Sequence, residues 1–201
     1  QRAVVEGSLA LLVQCCRYAD LSQAAQGEEN KTAGLLLDLL TPVAKTYPSE
    51  MGIQAISQGL QCFGGYGYCD EFPLEQYYRD SRIHPIHEGT TGIQAMDLLG
   101  RKVIMNDGRA MALFCAEVGK AVDAGRQIED LHDRAAALER AVEDLKQITF
   151  HLVSVAQSAG AEVFLADAVL YLEVFGLVAV AWQWMLQALA AHAALNRRQS
   201  K

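Results

Sequence analysis

The stretch around Glu88 combines residue types that can move a proton or bind a metal. His84 and His87 precede this carboxylate, and Gly89 follows it at the predicted start of a helix. Two imidazoles and a carboxylate are metal ligands, but Pro85 disfavours a helical geometry that would bring them together, and we predict no metal. Glu88 then has two interpretations: a carboxylate that stabilises a helix N-terminus, or a general base held in a cleft.

A second candidate is the glycine-rich stretch Gly64-Gly65-Tyr66-Gly67, which follows a predicted helix. Its spacing is not that of the dinucleotide-binding fingerprint, no strand is predicted before it, and no helix opens directly after it. Two adjacent glycines at the end of a helix are ordinarily a helix cap and a turn. They also let the backbone approach a ligand closely, because no side chain stands in the way. The sequence leaves both interpretations open.

Arg79, Asp80 and Arg82 form a dense charged group between the glycine-rich stretch and the histidines. They fall in a short helix that is predicted to run from Pro73 to about Ile83. We interpret Arg79 and Asp80 as an ion pair that fixes this helix, and not as catalytic groups.

The elements that must position these residues are all predicted to be helices. Apolar residues recur at helical spacing over residues 1–25, 31–47 and 131–152, and no stretch alternates convincingly with the period of a strand. Pro48 is expected to begin a new helix that ends at Gly64 and Gly65, since proline is tolerated in a first turn. Another helix is predicted to begin at residues 89–91, and the last to cover about 161–195. The predicted fold class is all-α, with helical units at 1–105 and 106–201.

Composition and charge narrow the classes of function. Seventeen Lys and Arg against 24 Asp and Glu give a net charge of −7, which argues against a general binder of nucleic-acid phosphates. An apolar share of 51% excludes a disordered chain. Residues 174–195 carry no formal charge, but Gln183, Gln187 and His192 interrupt them. We therefore predict a buried bundle helix and no integral membrane segment. Five cysteines without a paired metal spacing indicate thiols in a reducing compartment, so we expect a cytoplasmic protein, or a mitochondrial matrix protein in a eukaryote.

Three motifs in a fixed order carry a resemblance to a known family. They are Gln61-Cys-Phe-Gly-Gly-Tyr-Gly-Tyr, Arg79-Asp80-Ser-Arg-Ile and Ile86-His-Glu-Gly-Thr-Thr-Gly-Ile-Gln94, all within 34 residues. In this order and at this spacing they resemble the motifs of the acyl-CoA dehydrogenases. The run from Glu88 to Lys102 is similar to a long-chain or methylthio-acyl-CoA branch that carries an extra C-terminal helical domain. Residues 106–201 would then be that extension.

The resemblance implies a reaction and a role for Glu88. Residues 1–105 would be part of the C-terminal helical bundle of a flavoprotein that carries out α,β-dehydrogenation of an acyl-CoA thioester. Glu88 would be the catalytic base that takes the α-proton, while the β-hydrogen passes as hydride to FAD. Gly89 would lie against the acyl-CoA.

The resemblance also implies how the cofactor FAD is bound. One group of residues would contact the adenine and pyrophosphate of an FAD held mainly by a partner subunit, and a second group would also meet the FAD. The first group is Gln61, Gly64 and Gly65, and the second is Thr90, Thr91 and Gly92.

Further implications concern the rest of such an enzyme. The N-terminal helical domain and the middle β-domain of the family are not within these 201 residues, so the resemblance implies a fragment that is inactive in isolation. Its partners would be an acyl-CoA substrate, electron-transfer flavoprotein or a similar acceptor, and further copies of the chain in a homodimer or homotetramer.

Two alternatives to a dehydrogenase stay open at this stage. An acyl-CoA oxidase uses a similar scaffold and differs in how the reduced flavin meets oxygen. A non-enzymatic helical interaction module would also fit the acidic C-terminal helices, and it would leave Glu88 and the glycine turn remote from any cleft.

Overall fold

The computed structural model describes residues 1–199, with side chains as far as residue 197, and every regular element in that range is helical. The prediction of an all-α fold is therefore confirmed. In chain order the helices are α1 (Arg2–Ala24), α2 (Glu28–Phe63), α3 (Leu74–Ser81), α4 (Thr91–Asp97), α5 (Met105–Arg126), α6 (His132–Ala159), α7 (Ala161–Leu165) and α8 (Ala168–Gln199).

Helices α1 and α2 form an antiparallel pair, and only one of the two apolar faces of α1 is covered. The side-chain amide of Gln1 donates to the carbonyl of Ala55 at 2.8 Å, so α2 extends past the beginning of α1. Leu11 is fully buried, whereas Leu9 and Val13 are 59% and 60% exposed. Helical spacing predicted this helix correctly, but it does not indicate which apolar face meets the core.

Helix α2 runs without interruption through Pro48, so the prediction of a new helix at this residue is wrong. A proline inside a helix costs about 3 kcal/mol, because it removes one backbone hydrogen bond and clashes with the preceding turn. Tyr47 and Ile53, on either side of the proline, are both buried. Burying each of two such side chains contributes about 1.5–3 kcal/mol, which is enough to hold the helix together across the proline.

Helix α8 lies at the centre of the bundle and packs on α1, α2, α4, α5 and α6. Its Phe175 stacks on Phe114 of α5 with ring centroids 4.8 Å apart, and Trp182 meets the same Phe114 edge-on at 5.8 Å. The hydroxyl of Tyr171 is hydrogen-bonded to Thr149 of α6 at 2.6 Å. Burial raises the pKa of the Tyr171 phenol, so this group stays a neutral part of the core.

Among the described residues, one helix, Ala168–Arg197, is long and apolar enough to cross a membrane, with a mean hydropathy of 1.7 in its most apolar window. Just over half of that window, 56%, is buried against the other helices. Gln183, expected to interrupt the apolar run, is itself only 4% exposed. These contacts are those of a helix inside a bundle.

Two junctions refine the predicted helix boundaries. The backbone of residues 106–108 turns through left-handed angles, with φ between 51° and 78°, at the junction proposed between the units 1–105 and 106–201. One hydrophobic core nevertheless includes side chains from both units, and their division stays a prediction. The last predicted helix is broken by a turn at residues 166–167 into α7 and α8. Asp167 directly precedes α8, a position that short polar residues favour.

We expect Gly176→Ala to destabilise the bundle, because an added Cβ would lie 2.2 Å from Cδ2 of Tyr47 on α2. Overpacking of this kind costs about 1–3 kcal/mol. Gly119→Ala in α5 is the matched control, since no atom lies within 4 Å of its added Cβ. That change should stabilise the protein by about 0.5–1 kcal/mol through helix propensity. Urea unfolding followed by circular dichroism measures both, and equal effects of the two changes would contradict the packing argument.

Candidate functional site

The glycine-rich stretch forms a tight turn directly after α2. Gly64–Tyr68 is a short 3-10 helix. Gly64 has φ 59° and ψ −141°, and its N–H donates to the carbonyl of Gln61. A side chain at Gly64 would be strained in this conformation, which lies close to a region occupied almost only by glycine. The turn therefore caps the helix, as one of the two sequence interpretations expects.

The three glycines of this turn meet different requirements. A Cβ on Gly67 would lie 2.6 Å from the carbonyl oxygen of Leu60, so close packing on α2 requires glycine there. Gly64 is required by its backbone angles. Gly65 is exposed, its φ is ordinary, and no atom lies within 4 Å of an added Cβ. The fold does not require glycine at Gly65, which leaves close approach to a ligand as an explanation for it.

Aromatic side chains at the glycine turn pack against Phe72, which follows the turn in the chain. Phe72 meets Phe63 edge-on with ring centroids 5.4 Å apart, and Tyr66 at 6.0 Å. Tyr66 and Tyr68 are nevertheless 71% and 89% exposed. The turn is thus held on its inner side and open on its outer side.

The charged residues at the end of α3 do not form the ion pair that the sequence suggested. Arg79, Asp80 and Arg82 are all exposed, and none of the three belongs to an ion pair within the described part of the chain. The predicted pair of Arg79 and Asp80 is therefore wrong. Helix α3 is held instead by its packing on α2, so its surface charges do not need to face each other.

Glu88 lies in a loop between α3 and α4 that α2 holds in place. The ammonium group of Lys45 on α2 donates to the carbonyls of His84 at 2.8 Å and Gly89 at 2.6 Å. The amide of Gln94 donates to the carbonyl of Glu88 at 3.1 Å. Glu88 has a left-handed backbone with φ 54°, followed by Gly89 with φ 91°. Left-handed angles are costly for a residue with a side chain and persist where neighbouring groups enforce them.

The Glu88 carboxylate itself is exposed. The dry cleft that a general base needs is therefore not formed around Glu88 by residues 1–199 alone. Cavities of about 700 Å³ between α6 and α8 and about 530 Å³ between α1 and α8 lie elsewhere in the bundle.

The start of α4 occupies the polar groups of both threonines. The hydroxyl of Thr90 accepts from the N–H of Ile93 at 3.4 Å and caps the helix. Thr91 donates its hydroxyl to the carboxylate of Glu50 and its N–H to the carbonyl of Pro85. Gly92 is half-buried and has no atom within 4 Å of an added Cβ, so there is space on its Cα side. Of these three predicted flavin contacts, Gly92 has the free space, whereas both donors of Thr91 already have partners.

The two histidines beside Glu88 do not complete a metal site. Their ring centroids are 5.7 Å apart, and Nδ1 of His87 lies 2.9 Å from the carbonyl of Ile83. Over residues 1–199, no group of three or more His, Cys, Asp or Glu side chains is arranged to hold a metal ion.

The structure separates the predicted site residues into two places. Helix α2 is continuous from Glu50, beside the loop of Glu88, to Phe63, next to the glycine turn. The thirteen steps from Glu50 to Phe63 span about 20 Å at a rise of 1.5 Å each. Gln61, Gly64 and Gly65 therefore lie together at one end of this segment, and residues 88–92 lie at the other.

Comparison with known proteins shows the family to which the chain belongs. Residues 14–104 match the family described as acyl-CoA dehydrogenase, C-terminal domain, and residues 114–201 match the family described as acetyl-CoA dehydrogenase C-terminal like. The first match contains all three motifs named above. The chain belongs to the acyl-CoA dehydrogenase family.

Individual relatives agree with this acyl-CoA dehydrogenase assignment. The 3-methylmercaptopropionyl-CoA dehydrogenase of Ruegeria pomeroyi is 35% identical, and the broad-specificity linear acyl-CoA dehydrogenase FadE5 of Mycobacterium tuberculosis is 31% identical. Each alignment covers 98% of this chain and 33% of the relative, so the chain spans about a third of the length of these proteins. The solved structure of Caenorhabditis elegans ACDH-11 in complex with C11-CoA matches 94% of the chain and 32% of that protein, with a TM-score of 0.76 at 22% identity, and shows the same fold.

Acyl-CoA dehydrogenases in general use FAD, and the space at the exposed Gly65 and the half-buried Gly92 fits such a group. Gly65 and Gly92 offer main chain without side-chain obstruction, and free backbone N–H groups bind phosphate oxygens. Glycine at Gly65 is otherwise unexplained by the fold. The residues present are therefore compatible with FAD, with Gln61, Gly64 and Gly65 at one end of α2 and Gly92 at the other.

Sequence reasoning missed the residues that fix the loop of Glu88. Lys45 and Glu50 lie on α2, about 40 residues before their partners, and no local motif links such distant positions. One signal was available for Lys45. In the sequence it is a charged residue directly after Val43 and Ala44, two apolar residues of a predicted helix.

We expect Gly64→Ala to loosen the glycine turn and Gly65→Ala to leave it intact. The φ of 59° at Gly64 strains any residue with a Cβ by about 1–3 kcal/mol, and local fraying of this exposed turn relieves that strain. Gly65 has room for a methyl group. Amide hydrogen exchange in a peptide spanning residues 60–70 should accelerate in the first variant and not in the second. Equal exchange in both variants would show that backbone strain does not fix this turn.

Proposed function

We propose that this chain supplies the catalytic base and part of the flavin contacts of an FAD-dependent acyl-CoA dehydrogenase. The observation that carries the proposal is the left-handed backbone of Glu88. Lys45 holds this backbone in place by hydrogen bonds to the carbonyls of His84 and Gly89. Strained residues fixed by their surroundings are typical of functional sites. The 35% identity with a 3-methylmercaptopropionyl-CoA dehydrogenase adds support.

The reaction removes two hydrogens from neighbouring carbons of an acyl-CoA thioester. The α-proton is weakly acidic because the thioester carbonyl lies next to it, and the Glu88 carboxylate takes this proton. The electron pair of the broken Cα–H bond forms the new Cα–Cβ double bond, and the β-hydrogen leaves as hydride. FAD, when bound, supplies the two-electron acceptor for that hydride. Gly89 directly follows the base and would lie against the acyl-CoA. Its φ of 91° and the Gln94 amide, 2.5 Å from an added Cβ, require glycine at this position.

The environment of Glu88 must become drier than it is in this chain. Desolvation disfavours the charged form of a carboxylate and makes it a stronger base. Glu88 is exposed, so we infer that other parts of the enzyme and the acyl-CoA itself cover it. Exposure alone would also suit a helical interaction module. Such a module has no need for a left-handed glutamate fixed by a lysine and a glutamine, and this favours the dehydrogenase.

The glycine turn supports a contact with a second cofactor. Gln61, Gly64 and Gly65 lie about 20 Å along α2 from the loop of Glu88. As the family resemblance implies, we propose that these residues contact an FAD bound mainly by a neighbouring copy, at a place separate from the loop of Glu88. We therefore propose a homodimer or homotetramer, with electron-transfer flavoprotein or a similar acceptor receiving the electrons.

We expect Glu88→Gln in the holoenzyme to bind FAD and acyl-CoA normally and to reduce its flavin about 10²–10⁴-fold more slowly, because the amide cannot accept the α-proton. Glu129→Gln is the matched control, as Glu129 is exposed in the connection between α5 and α6. Anaerobic stopped-flow measurement of flavin absorbance with an acyl-CoA gives the rate.

Wild-type flavin reduction in the Glu88→Gln variant would remove this residue from the mechanism. The alternative role, a carboxylate at a helix start, changes stability by about 0.3–1 kcal/mol and leaves turnover near normal. Oxygen consumption on addition of acyl-CoA would assign the protein to the oxidases instead.

We expect the isolated 201-residue chain to retain little or no FAD and to have no dehydrogenase activity, because the chain spans about a third of its relatives. The chain is mixed with excess FAD, passed over a gel-filtration column and measured at the flavin absorbance. The full-length holoenzyme is the positive control. A stoichiometric yellow complex of the isolated chain would show that these residues hold FAD alone.

A further inference from the structure

Lys45 differs from the other lysines in what its ammonium group contacts. Of the five lysines within residues 1–199, four pair with a carboxylate: Lys31 with Glu28, Lys102 with Asp38, Lys120 with Glu117 and Lys146 with Glu143. Lys45 donates only to main-chain carbonyls, those of His84 and Gly89. Its charge is therefore directed at the backbone of one loop.

These two carbonyls stand on either side of Glu88. The His84 carbonyl comes four residues before it, and the Gly89 carbonyl comes directly after it. The peptide between Glu88 and Gly89 joins two left-handed residues, with φ of 54° and 91°. A non-glycine residue keeps such angles where the surrounding contacts enforce them. Lys45 provides two of those contacts, and Gln94 provides a third at the carbonyl of Glu88 itself.

We propose that Lys45 is a positioning residue, which fixes the direction of the Glu88 carboxylate by binding the backbone on both sides of it. The inference rests on the proposed function, because it assigns Lys45 to the same site. Lys45 touches neither substrate nor cofactor in this proposal, and it acts only through the loop.

The neighbouring contacts favour this role over an incidental surface contact. Lys45 is half-buried on α2 between Ala44 and Thr46, which are both buried, so its side chain leaves the core at a fixed point. Five residues further along α2, Glu50 accepts the hydroxyl of Thr91. The positive side chain of Lys45 thus binds carbonyls, and the negative side chain of Glu50 binds a hydroxyl donor. Each fixes one part of the segment from His84 to Thr91. Hydrogen bonds from charged groups are about twice as strong as neutral ones.

The first experiment measures the loop in the full protein that contains this chain. Lys45→Met keeps an unbranched side chain of nearly the same length and removes its donors, so amide hydrogen exchange in a peptide spanning residues 82–92 should accelerate about tenfold or more. Lys120→Met is the matched control, because Lys120 is exposed and pairs only with Glu117 on its own helix. Lys45→Arg keeps N–H donors and a positive charge, and most of the protection should return. Unchanged exchange in Lys45→Met would overturn the proposal.

The second experiment measures the reaction in the FAD-loaded enzyme. We expect Lys45→Met to lower kcat about 10–100-fold, because a displaced base is far less effective, with FAD content and the melting temperature close to wild type. A merely structural lysine would lower stability and FAD content together with the rate. If Lys45→Met does not fold, Lys45→Gln, whose shorter uncharged side chain cannot reach both carbonyls, gives the same comparison.

A double variant separates action through Glu88 from an independent effect. If Lys45 acts only by positioning this base, Lys45→Met should change the kcat of the Glu88→Gln enzyme by no more than about threefold. The full loss of 10–100-fold in that background would overturn the proposal. Failure of the proposed function gives a different pattern, in which Glu88→Gln is fully active while Lys45→Met still accelerates exchange in the loop.

Discussion

The contact between Tyr47 and Gly176 decides how the two longest helices, α2 and α8, lie against each other. The Tyr47 ring occupies the space that a side chain at Gly176 would fill, and its burial, with a smaller contribution from Glu173, raises the pKa of its phenol. Lys45 and Glu50 lie within one helical turn of Tyr47. Because Tyr47 fixes the rotation of α2 about its own axis, the same packing directs the ammonium and the carboxylate at the loop that carries Glu88.

Helix α2 also sets the distance between the two groups of proposed site residues. Its prolines, Pro42 and Pro48, both precede Glu50, so the segment from Glu50 to the glycine turn has a complete set of backbone donors. Such a segment is a stiff spacer of about 20 Å. The loop of Glu88 and the turn at Gly65 are therefore held at a fixed separation.

Local sequence signals were sufficient for the fold class, the glycine turn and the start of α4, but not for features that depend on tertiary contacts. The glycine turn and the threonine start of α4 were predicted because caps depend on a few adjacent residues. The continuity of α2 through Pro48 was missed because burial of residues on both sides outweighs the local penalty. The exposed face of α1 was unpredictable, as two of its faces are apolar and only the other helices select one. The same limit hid Lys45, whose partners lie 39 and 44 residues away.

The residues that stabilise the loop of Glu88 are different from Glu88 itself, the residue proposed to act as the base. A left-handed glutamate costs about 1–2 kcal/mol, and this cost must be offset outside the residue itself, since the Glu88 side chain is exposed and makes no core contact. Directly after the loop, Ala95, Leu98 and Leu99 are fully buried, and they anchor α4 on the bundle. The backbone of Glu88 is thus fixed from α4 on one side and by Lys45 on the other. Its position does not depend on packing of its own carboxylate, which leaves that carboxylate free to meet a substrate.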